Sequence, residues 1–159
     1  MLGVDLGLNV GSIIVLRKKV VKDGHVFKFE REKDSLDRIA KIAERYVDEL
    51  VKRCDRYNDY KIAIEEPVFS WGRKNPKAFA KLVELRALLI YQLQARAEVK
   101  IYDVNNKTAK MKAGSGKFKK KDMIEAYFKA TGSYPGHKAK YGQETLADSY
   151  FVALVGYEK

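Results

Sequence analysis

Apolar and polar positions change period several times along the chain, and each change marks an element. Met1 to Leu8 and Ser12 to Lys18 read as two strands, the second carrying the β-branched run Ile13-Ile14-Val15. Leu8-Asn9-Val10-Gly11 supplies turn residues between them. A third strand runs from about Val20 to Glu30 with Gly24 as a break, which predicts an antiparallel meander. The period then becomes helical: Leu36, Ile39, Ala43, Tyr46, Leu50 and Cys54 recur at three- and four-residue spacing, so Ser35 to Arg56 is an amphipathic helix with Cys54 in the core. Lys61-Ile62-Ala63-Ile64-Glu65 is too short for a helix and is stopped by Pro67, which makes it a strand. A loop with Phe69, Trp71 and Gly72 leads to a helix from Pro76 to Ala97, keyed by Phe79, Leu82, Leu85, Leu89 and Leu93. Val99 to Tyr102 is a further strand. Lys120 to Thr131 is a helix stopped at Gly132, Ser133-Tyr134-Pro135-Gly136 is a turn, and a last helix runs from Gln143 to about Val155. The order βββαβαβαα predicts an α/β fold, a mixed sheet flanked by helices. No repeat, low-complexity stretch or linker interrupts it, so residues 1–159 are expected to form a single domain.

Composition narrows the function. With 46% apolar and 33% charged residues, the chain can bury a core, which excludes a disordered tail. Its apolar runs fall far short of the roughly 18 to 20 residues of a membrane span, and no cleavable leader opens it. A cytoplasmic protein without membrane contact is expected. Cys54 is the single cysteine, which fits a reducing compartment and excludes thiolate metal sites. The 32 Lys and Arg against 21 Asp and Glu give a net charge of +11, which points to a polyanionic partner, nucleic acid first.

That charge is local. Between Lys100 and Lys121 stand eight lysines and one acid, Asp103, whereas acids precede bases by four residues at Asp34/Arg38, Asp37/Lys41, Asp48/Lys52 and Glu49/Arg53, the mark of a solvated helix face. Gly114-Ser115-Gly116 within the lysine run predicts a flexible loop able to wrap a phosphate backbone.

Three acids interrupt apolar surroundings. Asp5 lies inside a strand pattern, where a buried unpaired carboxylate costs several kcal/mol; it serves either the turn amides near Gly7 or a site. Glu65 repeats the pattern at the end of another strand. Asp148 lies among Leu146, Ala147, Phe151 and Val152 on the last helix, with Glu144 one turn earlier on the same face. Oxygen donors of this kind suit a hard divalent cation such as Mg2+, with Mn2+ as its substitute. His25 reads as structural or exposed. His137, just ahead of the last helix, is either an exposed loop histidine or a group within reach of the metal or a phosphate.

These residues together resemble the RuvC-like Holliday junction resolvases of the ribonuclease H-like, or retroviral-integrase, superfamily, with a brevity that suits a phage type. Gly3-Val4-Asp5-Leu6-Gly7-Leu8 followed by Gly11 is similar to the family's first strand, although Leu6 stands where many members carry proline. Ile64-Glu65-Glu66-Pro67 resembles the second acidic position, followed by Phe69 and Asn75. Lys107 to Met123, with Gly114-Ser115-Gly116 and Lys120, resembles the basic loop, and Ala147-Asp148-Ser149 the terminal-helix motif. Two departures stand out. The position three before the last aspartate is Thr145, which leaves Glu144 as the fourth acid, and Glu65 competes with Glu66, strand alternation favouring Glu65.

The resemblance implies a ribonuclease H-like five-stranded mixed sheet and a homodimer that nicks two opposed strands of a four-way DNA junction. It implies divalent metal held by Asp5, Glu65, Glu144 and Asp148, and phosphates met by Lys110, Lys117, Lys119, Lys120 and Lys121. Phe69 would stack on or wedge between bases, or else tuck into the core. The competing readings are a related nuclease acting on RNA, of the pre-ribosomal RNA processing type, and a non-catalytic DNA-binding dimer.

Overall fold

The meander forms first along the chain and builds one side of the sheet. In the computed structural model, which describes residues 1–31, 35–67 and 75–159, strands β1 (Leu2–Asp5), β2 (Val10–Arg17) and β3 (Val20–Lys28) pair antiparallel in sequence. Lys18 and Lys19 link β2 to β3 with φ of 50° and 64°, the left-handed backbone whose twist suits a two-residue hairpin, here adopted without glycine. Helix α1 (Leu36–Tyr57) follows, its first turn capped by Ser35, whose Oγ accepts the Arg38 N–H at 3.1 Å, and it ends at Asn58 in the left-handed region.

Strand β4 (Lys61–Glu65) then lies parallel to β1, and after helix α2 (Pro76–Arg96) strand β5 (Lys100–Val104) lies parallel to β4, giving the order β3-β2-β1-β4-β5. Pleating sorts the side chains. Leu2, Val4, Ile13, Val15, Ile62 and Ile64 form one core with α1 and with Leu85, Leu89 and Leu93 of α2. Met1, Ile14, Leu16 and Ala63 face the opposite layer, formed by helices α3 (Asn106–Ala113), α4 (Lys120–Thr131) and α5 (Lys140–Tyr157). Helix α5 crosses β1 so closely that a Cβ on Gly3 would lie 2.2 Å from the Ser149 carbonyl oxygen. The expected mixed five-stranded α/β sheet is therefore present.

Two expectations change. The lysine-rich stretch is not one flexible loop, because its first part is α3, capped by Asn105, whose Oδ1 accepts the Lys107 N–H at 2.9 Å, and stopped at Gly114 with φ of 143°. Its inward face shows only one buried residue, Ala109, so no apolar period betrays it. Helix α5 begins at Lys140, three residues before Gln143. His137 explains the earlier start: it is half-buried, its Nδ1 accepts the Ala139 N–H at 3.0 Å, and the Gln143 amide donates to its carbonyl at 3.0 Å. The imidazole thus braces the entry to α5 and is not a free loop group. Phe69, Trp71, Gly72 and Asp34 lie outside the described residues.

Candidate active site

Parallel strands present their C-terminal ends on one edge of a sheet, and crevices there are the usual ligand sites of such folds. The register that pairs Val4 with Ile64 makes Asp5 and Glu65 the next residues along β1 and β4. Both alternate with Gly3 and Ala63, so both belong to the face covered by α5. Helix α5 brings Asp148 to the same place.

Three hydroxyls fix this approach. Each carries one proton, and a consistent assignment uses each once. Thr145 donates to Asp5 Oδ2, Ser12 donates to the Thr145 carbonyl at 2.8 Å, and Ser149 donates to the Ser12 carbonyl at 3.2 Å. The Asp5 N–H in turn donates to Ser149 Oγ at 3.1 Å. Ser12, Thr145 and Ser149 are buried, so the network ties β1, β2 and α5 together in a medium where hydrogen bonds are strong and unpaired groups costly. The turn after Asp5 is pinned from the other layer. Tyr46 of α1, fully buried, accepts from the Gly7 N–H at 3.2 Å and donates to the Gly7 carbonyl at 3.3 Å. Arg38 donates to the Leu8 carbonyl at 3.0 Å and to that of Glu30 at 2.6 Å.

The carboxylates disfavour one another's charge. Burial, reinforced by the charges of Glu65 and Asp148, holds Asp5 well above the usual carboxylate range, against the Thr145 hydrogen bond and the Lys120 charge. Burial, followed by Glu65, pushes Asp148 up to about 7, with Glu144 adding to the rise and Lys120 and Lys110 opposing it. Asp5, Glu65 and Asp148 therefore share one electrostatic site. Glu144 sits beside it, but its Oε2 lies 3.2 Å from Lys120 Nζ. Lys110 is half-buried on α3, while Lys117, Lys119 and Lys121 are exposed on the α3–α4 connection and the first turn of α4. Glu66 directly follows β4, its N–H extending the pairing with β5 by donating to the Val104 carbonyl at 2.9 Å, and alternation sets it on the opposite face from Glu65. His25 packs edge-on against Phe27 in the α1 layer, away from the acids, and burial lowers its pKa.

Sequence reasoning missed Thr145, Ser12, Ser149 and Asn106 as parts of this site. Thr145 carried a signal, being the residue three before Asp148. Asn106, whose Nδ2 donates to Glu65 Oε1, carried only its place two residues beyond β5.

Among the described residues, no three acidic, histidine or cysteine side chains are gathered tightly enough to ligate one ion as they stand. The donor chemistry nevertheless fits a hard divalent cation. Carboxylate oxygens are the ligands such ions take, and the burial and mutual repulsion that raise Asp5 and Asp148 are what a bound dication would offset.

No protein-family model matches the chain, and no curated protein matches its sequence. Solved structures do match. RuvC of Thermus thermophilus superimposes with a TM-score of 0.68 at 17% identity, over 98% of this chain and 97% of that one. The same bacterium's RuvC in complex with Holliday junction substrate gives 0.72 at 14% identity, over 99% and 94%. The yeast mitochondrial Holliday junction resolvase Ydc2 gives 0.65 at 15% identity, over 96% and 75%. At such identities the likeness establishes the fold. This chain has the ribonuclease H-like fold of RuvC along nearly its whole length.

Proposed function

We propose that this chain is a divalent-metal-dependent endonuclease that resolves four-way DNA junctions, acting as a homodimer that nicks two opposed strands. One observation carries the reading: Asp5, Glu65 and Asp148 meet at the C-terminal ends of two adjacent parallel strands, in a fold shared at nearly full length with a RuvC solved on a Holliday junction. Asp5, Glu65 and Asp148 would hold the cation, Mg2+ or Mn2+, with Glu144 joining once Lys120 leaves it. When bound, such an ion supplies Lewis-acid stabilisation of phosphoryl oxygens and lowers the pKa of a bound water.

The rest is the work of this chain's own residues. The Thr145 hydrogen bond orients the Asp5 carboxylate and favours its ionised form, and Ser149 fixes the Asp5 backbone. Lys110 and Lys120 border the acids and would take the scissile phosphate, while Lys117, Lys119 and Lys121 extend the cationic surface for neighbouring phosphates. Phe69, in the β4–α2 connection, would offer its ring to unstacked bases. Helix α2 would form the dimer contact, because it buries only Leu85, Leu89 and Leu93 and leaves Val83 and Tyr91 43% and 75% exposed. No helix among the described residues is long and apolar enough to cross a membrane. A DNA-junction substrate and a single cysteine would suit the reducing cytoplasm.

The test is a nicking assay on a synthetic four-way junction beside linear duplex and structured RNA, with Mg2+ and with excess EDTA. Paired symmetric nicks confined to the junction and abolished by EDTA support the reading. Preferential RNA cleavage, or binding without cleavage in any metal, replaces it.

A further inference from the structure

We propose that Asn106 is a positioning residue that sets the Glu65 carboxylate for cation binding. The inference rests on the nuclease reading above.

The geometry begins with register. Glu65 pairs with Val104, so the residues just past β5 emerge beside the Glu65 side chain. Asn105 and Asn106 then divide two tasks. Asn105 caps α3, its Oδ1 taking the Lys107 N–H, which relieves Asn106 of capping. Asn106, the first residue of α3, turns its amide to β4 and donates from Nδ2 to Glu65 Oε1. Glu66 follows in the chain, its N–H continuing the β4–β5 ladder to the Val104 carbonyl, and alternation sets it on the opposite face from Glu65.

The chemistry of the partner matters. An amide restrains a carboxylate without cancelling its charge, so the acid stays a competent ligand, in contrast to Glu144, which faces the Lys120 ammonium. Asn106 also belongs to the helix that carries Lys107 and Lys110. One helix therefore orients an acid of the site and presents Lys110, whose charge acts on Asp148.

The test titrates Mn2+ alone into the full-length protein, without DNA, for the wild type, Asn106→Ala, Glu65→Gln and the double variant, with junction affinity in EDTA and thermal melting measured alongside. Removing a partner of this kind is expected to weaken Mn2+ binding by about 10-fold or more, with junction affinity unchanged. In the Glu65→Gln background Asn106→Ala is expected to add nothing, since it acts through Glu65. Asn106→Leu, close to the amide in shape but without its donor, carries the same expectation should the alanine variant melt early. Wild-type Mn2+ affinity in both variants, or an equal loss in the Glu65→Gln background, overturns the assignment. A wild type that binds no Mn2+ and cuts no junction overturns the nuclease reading itself, an outcome distinct from one in which the wild type does both and the Asn106 variants match it.

Discussion

The Thr145 hydroxyl donates a hydrogen bond to the Asp5 carboxylate, so a residue on the last helix favours the ionised form of an acid on the first strand. Where the family resemblance leads one to expect a fourth acid, this chain places a neutral donor that stabilises an acid already present. Removing the donor raises the Asp5 pKa further, since a hydrogen bond to the ionised form lowers it. Thr145→Val is therefore expected to move the acid limb of the cleavage pH profile to higher pH. Activity should fall about 10-fold at pH 7 and recover in alkaline buffer, on the scale of one pKa unit per factor of ten. A profile that drops equally at every pH would assign Thr145 to packing alone.

Burial, with the repulsion from Glu65 behind it, makes the Asp148 charge a burden on the metal-free fold. Asp148 is raised from an ordinary 3.8 to about 7, so the folded state binds more protons than the unfolded one between those values, and stability falls as pH rises through that window. Asp148→Asn removes this contribution. In EDTA the variant should match the wild type near pH 4 and exceed it by about 2–4 kcal/mol near pH 8. Chemical denaturation at the two pH values measures the difference. A variant less stable than the wild type at both would show that Asp148 contributes more by its packing and hydrogen bonds than it costs by its charge.

The framework was legible because its period is simple. The β-branched run of β2, the helical spacing from Leu36 to Cys54 and the isolated acids of β1 and β4 all depend on alternation that one chain displays unaided. Helix α3 was not legible, since it buries little beyond Ala109 and its lysines mask any apolar face. The early start of α5 was hidden for another reason: His137 braces it through a side chain, and no capping residue stands at Ala139. Thr145, Ser12 and Ser149 meet only when α5 is laid across β1 and β2, an approach that depends on Gly3 and appears in no local pattern.

Tyr46 and Gly11 form a second long-range dependence. A Cβ on Gly11 would lie 1.8 Å from the Tyr46 hydroxyl and 2.6 Å from the Asp5 carbonyl oxygen. Gly11→Ala is expected to destabilise by about 1–3 kcal/mol or more, the range of overpacking in a tight core. Tyr46→Phe leaves both Gly7 polar groups without this partner and should cost about 1–3 kcal/mol. Combined, the two should cost less than their sum, because removing the hydroxyl makes part of the room the methyl needs. Urea unfolding of the two single variants and the double variant measures this, and strict additivity would rule out the steric link.

The α3–α4 lysines should govern salt dependence. Each lysine that neutralises a phosphate steepens the fall of log K with log salt by about 0.9. Changing Lys117, Lys119 and Lys121 to Ala is expected to flatten the slope for junction binding and leave melting unchanged, because all three side chains are exposed. Lys120→Ala differs in kind. It also releases Glu144 and removes a charge that favours ionised Asp5 and Asp148, so cleavage should fall further than binding. An equal fall in binding and cleavage would place Lys120 with the other three.

The separation of enzyme from binding module falls on Asp5. Asparagine keeps the size of the side chain and its place beside Thr145, and removes the charge that a hard cation requires. Asp5→Asn should lower metal-dependent nicking by orders of magnitude, while junction affinity in EDTA holds or rises, because a carboxylate facing phosphate has gone. Glu65→Gln and Asp148→Asn should behave alike. Glu66→Gln should be mild, since strand alternation sets Glu66 on the opposite face and Glu65 is the acid that Asn106 holds. Melting supplies the control: removing one of three mutually repelling acids should leave the Asp5→Asn protein at least as stable as the wild type at neutral pH, so a fall in cleavage is then not a consequence of unfolding. An Asp5→Asn protein that nicks junctions at the wild-type rate, or wild-type nicking that persists in excess EDTA, would falsify the metal-carboxylate mechanism.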